Sequence, residues 1–134
     1  MHIDGGCHCG AIRYVATIDP ANVSVCHCTD CQMLTGSPYR VSVLCRPQDV
    51  QVTSGRARIY RKIGDSGRVR LQQFCGDCGS PLFACNEDPS TGVWSLRWGS
   101  IAQRRDLKPS RQIWCQSAAP WTDELAAVPG QARE

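Results

Sequence analysis

Three short stretches hold the residues best suited to chemistry: Cys7-His8-Cys9, Cys26-His27-Cys28-Thr29-Asp30-Cys31 and Cys75-Gly76-Asp77-Cys78. Together they contain seven of the ten cysteines in the 134-residue chain. Thiols spaced by one or two residues suit a shared metal ion, because a tight turn brings both sulfurs to about 2.3 Å from one zinc. The count divides unevenly. The first and third stretches offer two thiols each, and the middle one offers three.

Cys7 and Cys9 lie among Gly5, Gly6 and Gly10, while Cys75 and Cys78 lie beside Gly76 and Gly79. Neither pair completes a site alone. Paired, they form a closed tetrahedron of four cysteines with no position left for substrate, which is the mark of a structural zinc. The middle stretch differs. Cys26, Cys28 and Cys31 can face one ion if the chain turns helically after Cys28, since residues three apart share a helix face. Three thiolates leave one coordination position, which water, a substrate or a fourth residue can fill. Cys45, Cys85, Cys115 and His27 are the residues that could close it. His27 stands between two of the proposed ligands, so its side chain is expected to point away. The three lone cysteines are expected to be small buried hydrophobes. Asp30 and Asp77 are read as turn formers.

The rest of the composition is that of an ordinary globular chain, with 42% hydrophobic and 20% charged residues. The formal charge of +3 counts the thiols as neutral. A zinc held by four thiolates and another held by three would bring the total near zero. The arginines are scattered rather than gathered on one run, so no nucleic-acid partner is expected. No apolar stretch approaches the ~20 residues of a membrane span. The first residues lack the basic and apolar regions of a signal peptide, and the expected location is the cytoplasm, where clustered thiols serve metals or catalysis.

The elements that must position the clusters are mostly strands. Short β-rich runs at residues 11–17, 39–44, 50–53, 57–63, 68–74, 82–84, 93–98 and 112–116 are bounded by Gly, Pro, Asp and Ser. Gly64-Asp65-Ser66-Gly67 reads as a hairpin turn. Helical pieces are expected only at 29–34 and 123–127. The pattern predicts an all-β fold in a single domain over 1–122, with a short tail at 123–134.

Specific motifs strengthen this reading. Gly5-Gly6-Cys7-His8-Cys9-Gly10-Ala11-Ile12-Arg13-Tyr14, Cys26-His27-Cys28-Thr29-Asp30-Cys31-Gln32, Thr35-Gly36-Ser37-Pro38 and Phe74-Cys75-Gly76-Asp77-Cys78-Gly79-Ser80-Pro81-Leu82-Phe83 occur in this order. Ile113-Trp114-Cys115-Gln116-Ser117 and Pro120-Trp121 follow. The series resembles the glutathione-dependent formaldehyde-activating enzyme family, also named for centromere protein V, from about Gly5 to Trp121. The resemblance implies an Mss4-like β-tent of short antiparallel sheets stapled by a structural zinc on Cys7, Cys9, Cys75 and Cys78. It implies a second, catalytic zinc on Cys26, Cys28 and Cys31. One departure is Gln112, where members often carry His before the Ile-Trp pair.

The implied reaction joins the thiol of glutathione to formaldehyde, giving S-hydroxymethylglutathione, or reverses that step. The expected partners are therefore a glutathione-like thiol and an aldehyde. A zinc with three thiolates polarises water or a carbonyl weakly, yet it can hold a fourth sulfur as the nucleophilic thiolate. Arg40, Arg97 or Arg111 could clamp a substrate carboxylate. The alternative is a non-catalytic zinc scaffold or binding module of the same fold.

Overall fold

The computed structural model describes residues 1–133. In chain order the strands are β1 (His2–Gly6), β2 (Arg13–Thr17), β3 (Val23–Cys26), β4 (Arg40–Cys45), β5 (Val50–Ser54), β6 (Arg58–Ile63), β7 (Val69–Phe74), β8 (Pro81–Asn86), β9 (Trp94–Arg97) and β10 (Arg111–Ile113). One α-helix, α1 (Thr29–Thr35), follows β3. The protein is thus all-β, as the recurring short runs predict.

A three-stranded sheet has the order β1-β2-β5, and a seven-stranded sheet has the order β10-β3-β4-β9-β8-β7-β6. Every ladder is antiparallel except β10 against β3, which is parallel. The core lies where the sheets face each other. Ile3, Tyr14 and Ala16 of the small sheet pack against Val23, Val43, Leu82, Phe83 and Leu96 of the large one. The Tyr14 and Phe83 rings meet edge to face at 4.8 Å. In β2 the burial alternates, with Tyr14 and Ala16 inward, which is the period-2 signature of a half-buried strand.

Two strands lie outside the expected set. β1 reads His-Ile-Asp-Gly-Gly, a poor strand sequence by local preference. It pairs because Gly5 sits opposite Tyr14 in the β1–β2 register. A Cβ on Gly5 would collide with the Tyr14 ring, so the glycine makes room for the largest side chain of the core. β3 is short and runs straight into the second cysteine cluster, which hides its pattern. The strand expected at 112–116 stops at Ile113, because Trp114 adopts a left-handed conformation with φ 56°. The helix expected at 123–127 is a 3-10 segment, Pro120–Ala127, with a proline in its first turn and i→i+3 closures at both ends.

Candidate metal centres

The first cluster is built by two knuckles. Cys7 follows β1, and its Sγ accepts the Ile12 amide at 3.2 Å while its own amide donates to Ile12 O at 3.1 Å. Cys75 follows β7, with its amide on Ser80 O at 3.0 Å and its carbonyl accepting the Gly79 amide at 2.9 Å. The His8 amide donates to Ser80 Oγ at 3.0 Å and so ties one knuckle to the other. Sγ of Cys7 lies 3.6 Å from Sγ of Cys9, which lies 3.7 Å from Sγ of Cys75. All four sulfurs, Cys78 included, fall within 4.8 Å of one another.

Those separations fit a shared metal ion and not a disulfide. A disulfide needs about 2.05 Å. Four sulfurs each about 2.3 Å from one zinc stand about 3.8 Å apart along the edges of the tetrahedron. Cys7 and Cys75 are buried, and Cys9 and Cys78 are exposed.

The second cluster joins the end of β3 to the start of α1. Cys26 ends the strand, Cys28 is the N-cap, and Cys31 lies in the first helical turn. The Cys28 sulfur accepts the Cys31 amide at 3.3 Å, which replaces the usual Ser or Asp cap and turns both side chains to one side. The helix stops at Gly36, whose φ of 62° suits the left-handed C-cap and whose amide donates to Gln32 O. Sγ of Cys26, Cys28 and Cys31 lie within 4.8 Å of one another. Among the described residues, no fourth Cys, His, Asp or Glu joins this group.

Without a cation, these thiols divide their protons unequally. Hydrogen bonding from Cys31 pulls Cys26 down to about 5, and Cys26 in turn pushes Cys31 far up. The Ser80 hydroxyl and amide pull Cys78 down to about 5. The Ala11 amide favours the thiolate of Cys9, but the neighbouring sulfurs of Cys7, Cys78 and Cys75 together outweigh it, and Cys9 is pushed up to about 12. Several thiolates side by side need a positive charge between them. The all-sulfur donor sets and their spacing suit a soft or borderline divalent ion such as zinc.

The residues considered for closing the second site stand elsewhere. Cys45 and Cys85 are buried, as expected of small hydrophobes, and burial pushes both thiols up. Cys115 is exposed, against expectation, because the turn at Trp114 carries it out of the sheet into a 3-10 segment. His27 is buried and points away from the cluster, as anticipated. Its Nε2 donates to Gln112 Oε1 at 2.7 Å, and its ring packs edge-on against Tyr39. Gln112, the position that departs from the resemblance, thus holds the histidine flanked by Cys26 and Cys28. Asp30 pairs with Lys62 at 2.7 Å, and Asp77 lies in the turn between Cys75 and Cys78.

Sequence reasoning misses three glutamines. Gln112 orients His27. Gln32 Nε2 bridges His27 O at 2.7 Å and Ser117 O at 2.9 Å, fastening the C-terminal segment over α1. Gln72 Oε1 accepts from both Arg40 and Arg97. Gln32 closes a quoted motif and Gln112 stands out as a departure from the resemblance, but an amide side chain carries no sign of its partner, so none of the three roles can be read from the sequence. Among the three candidate arginines, Arg111 is exposed, while Arg40 and Arg97 are buried and line two cavities of about 840 and 410 Å³.

Comparison with known proteins agrees with this architecture. Residues 2–117 match the sequence profile of the glutathione-dependent formaldehyde-activating enzymes. An uncharacterized lyase of Schizosaccharomyces pombe is 29% identical over 80 residues, which span 60% of this chain and 55% of that protein. The match thus spans about half the length of that relative. The crystal structure of a Rhodobacter sphaeroides protein superposes with a TM-score of 0.63 at 20% identity, covering 81% of this chain and 98% of the other. That likeness speaks for the fold. Among the described residues, no helix is long and apolar enough to cross a membrane. With residues 2–117 of the 134 matched and both cysteine clusters assembled, the chain belongs to the glutathione-dependent formaldehyde-activating enzyme family.

Proposed function

We propose that this protein is a carbon–sulfur lyase that joins and parts a small thiol and an aldehyde, with glutathione and formaldehyde as the pair. The site is the cluster of Cys26, Cys28 and Cys31, and the cluster of Cys7, Cys9, Cys75 and Cys78 serves as a structural staple. One observation carries this reading. Three sulfurs converge in the second cluster with no fourth protein ligand beside them among the described residues, whereas the first cluster is complete with four.

The residues present fit zinc at both places by donor type and spacing. Cys26, Cys28 and Cys31 would hold the zinc of the second cluster, and it would keep a substrate thiol deprotonated near neutral pH. The chain's own contribution is placement. The β3–α1 junction fixes the three cysteines. The Gln112–His27 and Gln32–Ser117 contacts hold the C-terminal segment against β3 and α1, which carry them. In the addition, a C–S bond forms between the thiol sulfur and the aldehyde carbon. The C=O π pair moves to oxygen, and the proton given up by the thiol ends on that oxygen. Reversal breaks the same C–S bond and returns the proton to sulfur.

The test is NMR exchange between formaldehyde and its glutathione adduct, with zinc-loaded protein and with Cys31→Ala. Acceleration by the first and not by the second is expected. Equal exchange with and without protein would remove the lyase reading. X-ray absorption showing a fourth protein sulfur at the second site in the absence of added thiol would leave a non-catalytic scaffold.

A further inference from the structure

We propose that Arg40 and Arg97 form an anion subsite for a carboxylate of the thiol substrate, so that the site selects acidic thiols over neutral or cationic ones. The inference rests on the lyase reading above and names its substrate class.

The strand register places these residues together. Arg40 is directly opposite Cys26 across the β3–β4 ladder, and Arg97 is directly opposite Ser42 across β4–β9. Arg40 and Ser42 are two residues apart, so Cys26, Arg40, Ser42 and Arg97 project from one face of the sheet. Directly opposed Cβ atoms in an antiparallel pair lie about 5 Å apart. The guanidinium of Arg40 therefore starts one strand away from a ligand of the second cluster.

Both arginines are buried, at 5% and 8% exposure. Buried charges are ordinarily paired with an opposite charge. Here they are not. The ion pairs among the described residues are Arg46–Asp49, Arg61–Glu87 and Lys62–Asp30, all elsewhere. Arg97 Nη1 donates to Ser42 Oγ at 2.9 Å, and Nη2 donates to Gln72 Oε1 at 2.6 Å. Arg40 Nη1 reaches the same Gln72 oxygen at 3.3 Å. Two cations share one neutral acceptor, and their remaining N–H groups exceed what these oxygens can accept. Among the described residues, His27 Nδ1 is the single fully buried side-chain nitrogen or oxygen without a partner. The unused guanidinium nitrogens are thus not fully buried, and both arginines line the two cavities, whose walls include Leu34 and Thr35 of α1.

Three thiolates around a divalent ion would carry one net negative charge against the two positive guanidiniums, and a substrate thiolate at that ion would supply the second. Charge balance alone therefore does not call for a carboxylate, but the unused N–H forks do. A carboxylate fits the planar fork of a guanidinium in a bidentate pair, which a lone thiolate cannot. Burial above all, then the neighbouring Arg40 and Arg70, disfavour the charged form of Arg97, while the thiols of Cys31 and Cys26 act the other way.

The test uses a ligand with carboxylates and no free thiol, S-methylglutathione, followed by NMR titration of the zinc-loaded protein. Cysteamine, a thiol without a carboxylate, is the counter-probe. Gln72→Glu places a tethered carboxylate between the two arginines. It is expected to fold, to raise the melting temperature, and to weaken S-methylglutathione binding at least tenfold while cysteamine binding stays. Arg97→Gln is expected to weaken S-methylglutathione by a similar factor. If either variant does not fold, the other decides. A folded, zinc-loaded variant that binds S-methylglutathione as the wild type does would overturn the subsite, as would absence of binding to the wild type. Failure of the lyase reading registers separately, as no acceleration of adduct exchange with any thiol.

Discussion

Cys9 Sγ and Cys75 Sγ lie 3.7 Å apart although 66 positions separate them in the chain. This contact joins the β1–β2 hairpin of the small sheet to the β7–β8 turn of the large one. A metal held there would close a long loop as well as gather four thiols. Cys75→Ala is therefore expected to lower the melting temperature and cost one metal ion per chain. Structural zinc contributes on the order of 10 kcal/mol in small peptides. This chain also has its own core, so a smaller loss, of several kcal/mol, is expected. Metal analysis with calorimetry checks it. An unchanged melting temperature after complete chelation would remove the staple.

Cys28 has two tasks that substitution can separate. Its sulfur caps α1 by accepting the Cys31 amide, and it faces Cys26 and Cys31. Cys28→Ser keeps a capping oxygen, whereas Cys28→Ala removes the cap. In metal-free protein, the alanine variant should be less stable than the serine one by about 1 kcal/mol. Both should lose metal from the second cluster. Full metal retention by Cys28→Ser would exclude Cys28 from the ligand set.

How much of this is legible in the sequence depends on the range of the interaction. Cys26, Cys28 and Cys31 lie within one turn, so their spacing alone announces a shared site. Pairing Cys7 and Cys9 with Cys75 and Cys78 follows from counting ligands. The position of Arg40 opposite Cys26 does not show, because strand register is set by core packing across the whole sheet. Cys115 reads as buried because nothing local reveals that Trp114 turns left-handed. β1 escapes notice because its stability comes from the ring it admits rather than from its own residues.

That last point carries a prediction at Gly5. A methyl group there meets the Tyr14 ring, which is fixed by Phe83 on one side and by Ser100 through its hydroxyl. Gly5→Ala is expected to destabilise by about 1–3 kcal/mol, as overpacking does in a filled core. Combining it with Tyr14→Leu should cost clearly less than the sum of the two changes, since the smaller side chain removes the collision. Additive losses in urea denaturation would mean that the ring is not what Gly5 accommodates.

Tyr14 also sets an alkaline limit. Burial pushes its phenol up to about 12, outweighing the Ser100 hydrogen bond that acts the other way. The unfolded chain ionises near pH 10. Below that pH the phenol is neutral in both states, and its contribution to stability is fully present. Between about pH 10 and 12 the unfolded state loses its proton first, so stability falls as pH rises; above that range both states are ionised and the slope from this group ends. The drop amounts to at most about 2.7 kcal/mol for a shift of this size. Tyr14→Phe should lose about 1 kcal/mol at neutral pH with the Ser100 contact, yet show a flatter decline through the alkaline window. Stability curves for the two proteins that stay parallel from pH 9 to 12 would assign that decline to other groups, buried Cys45 foremost, whose thiol burial also pushes up to about 12.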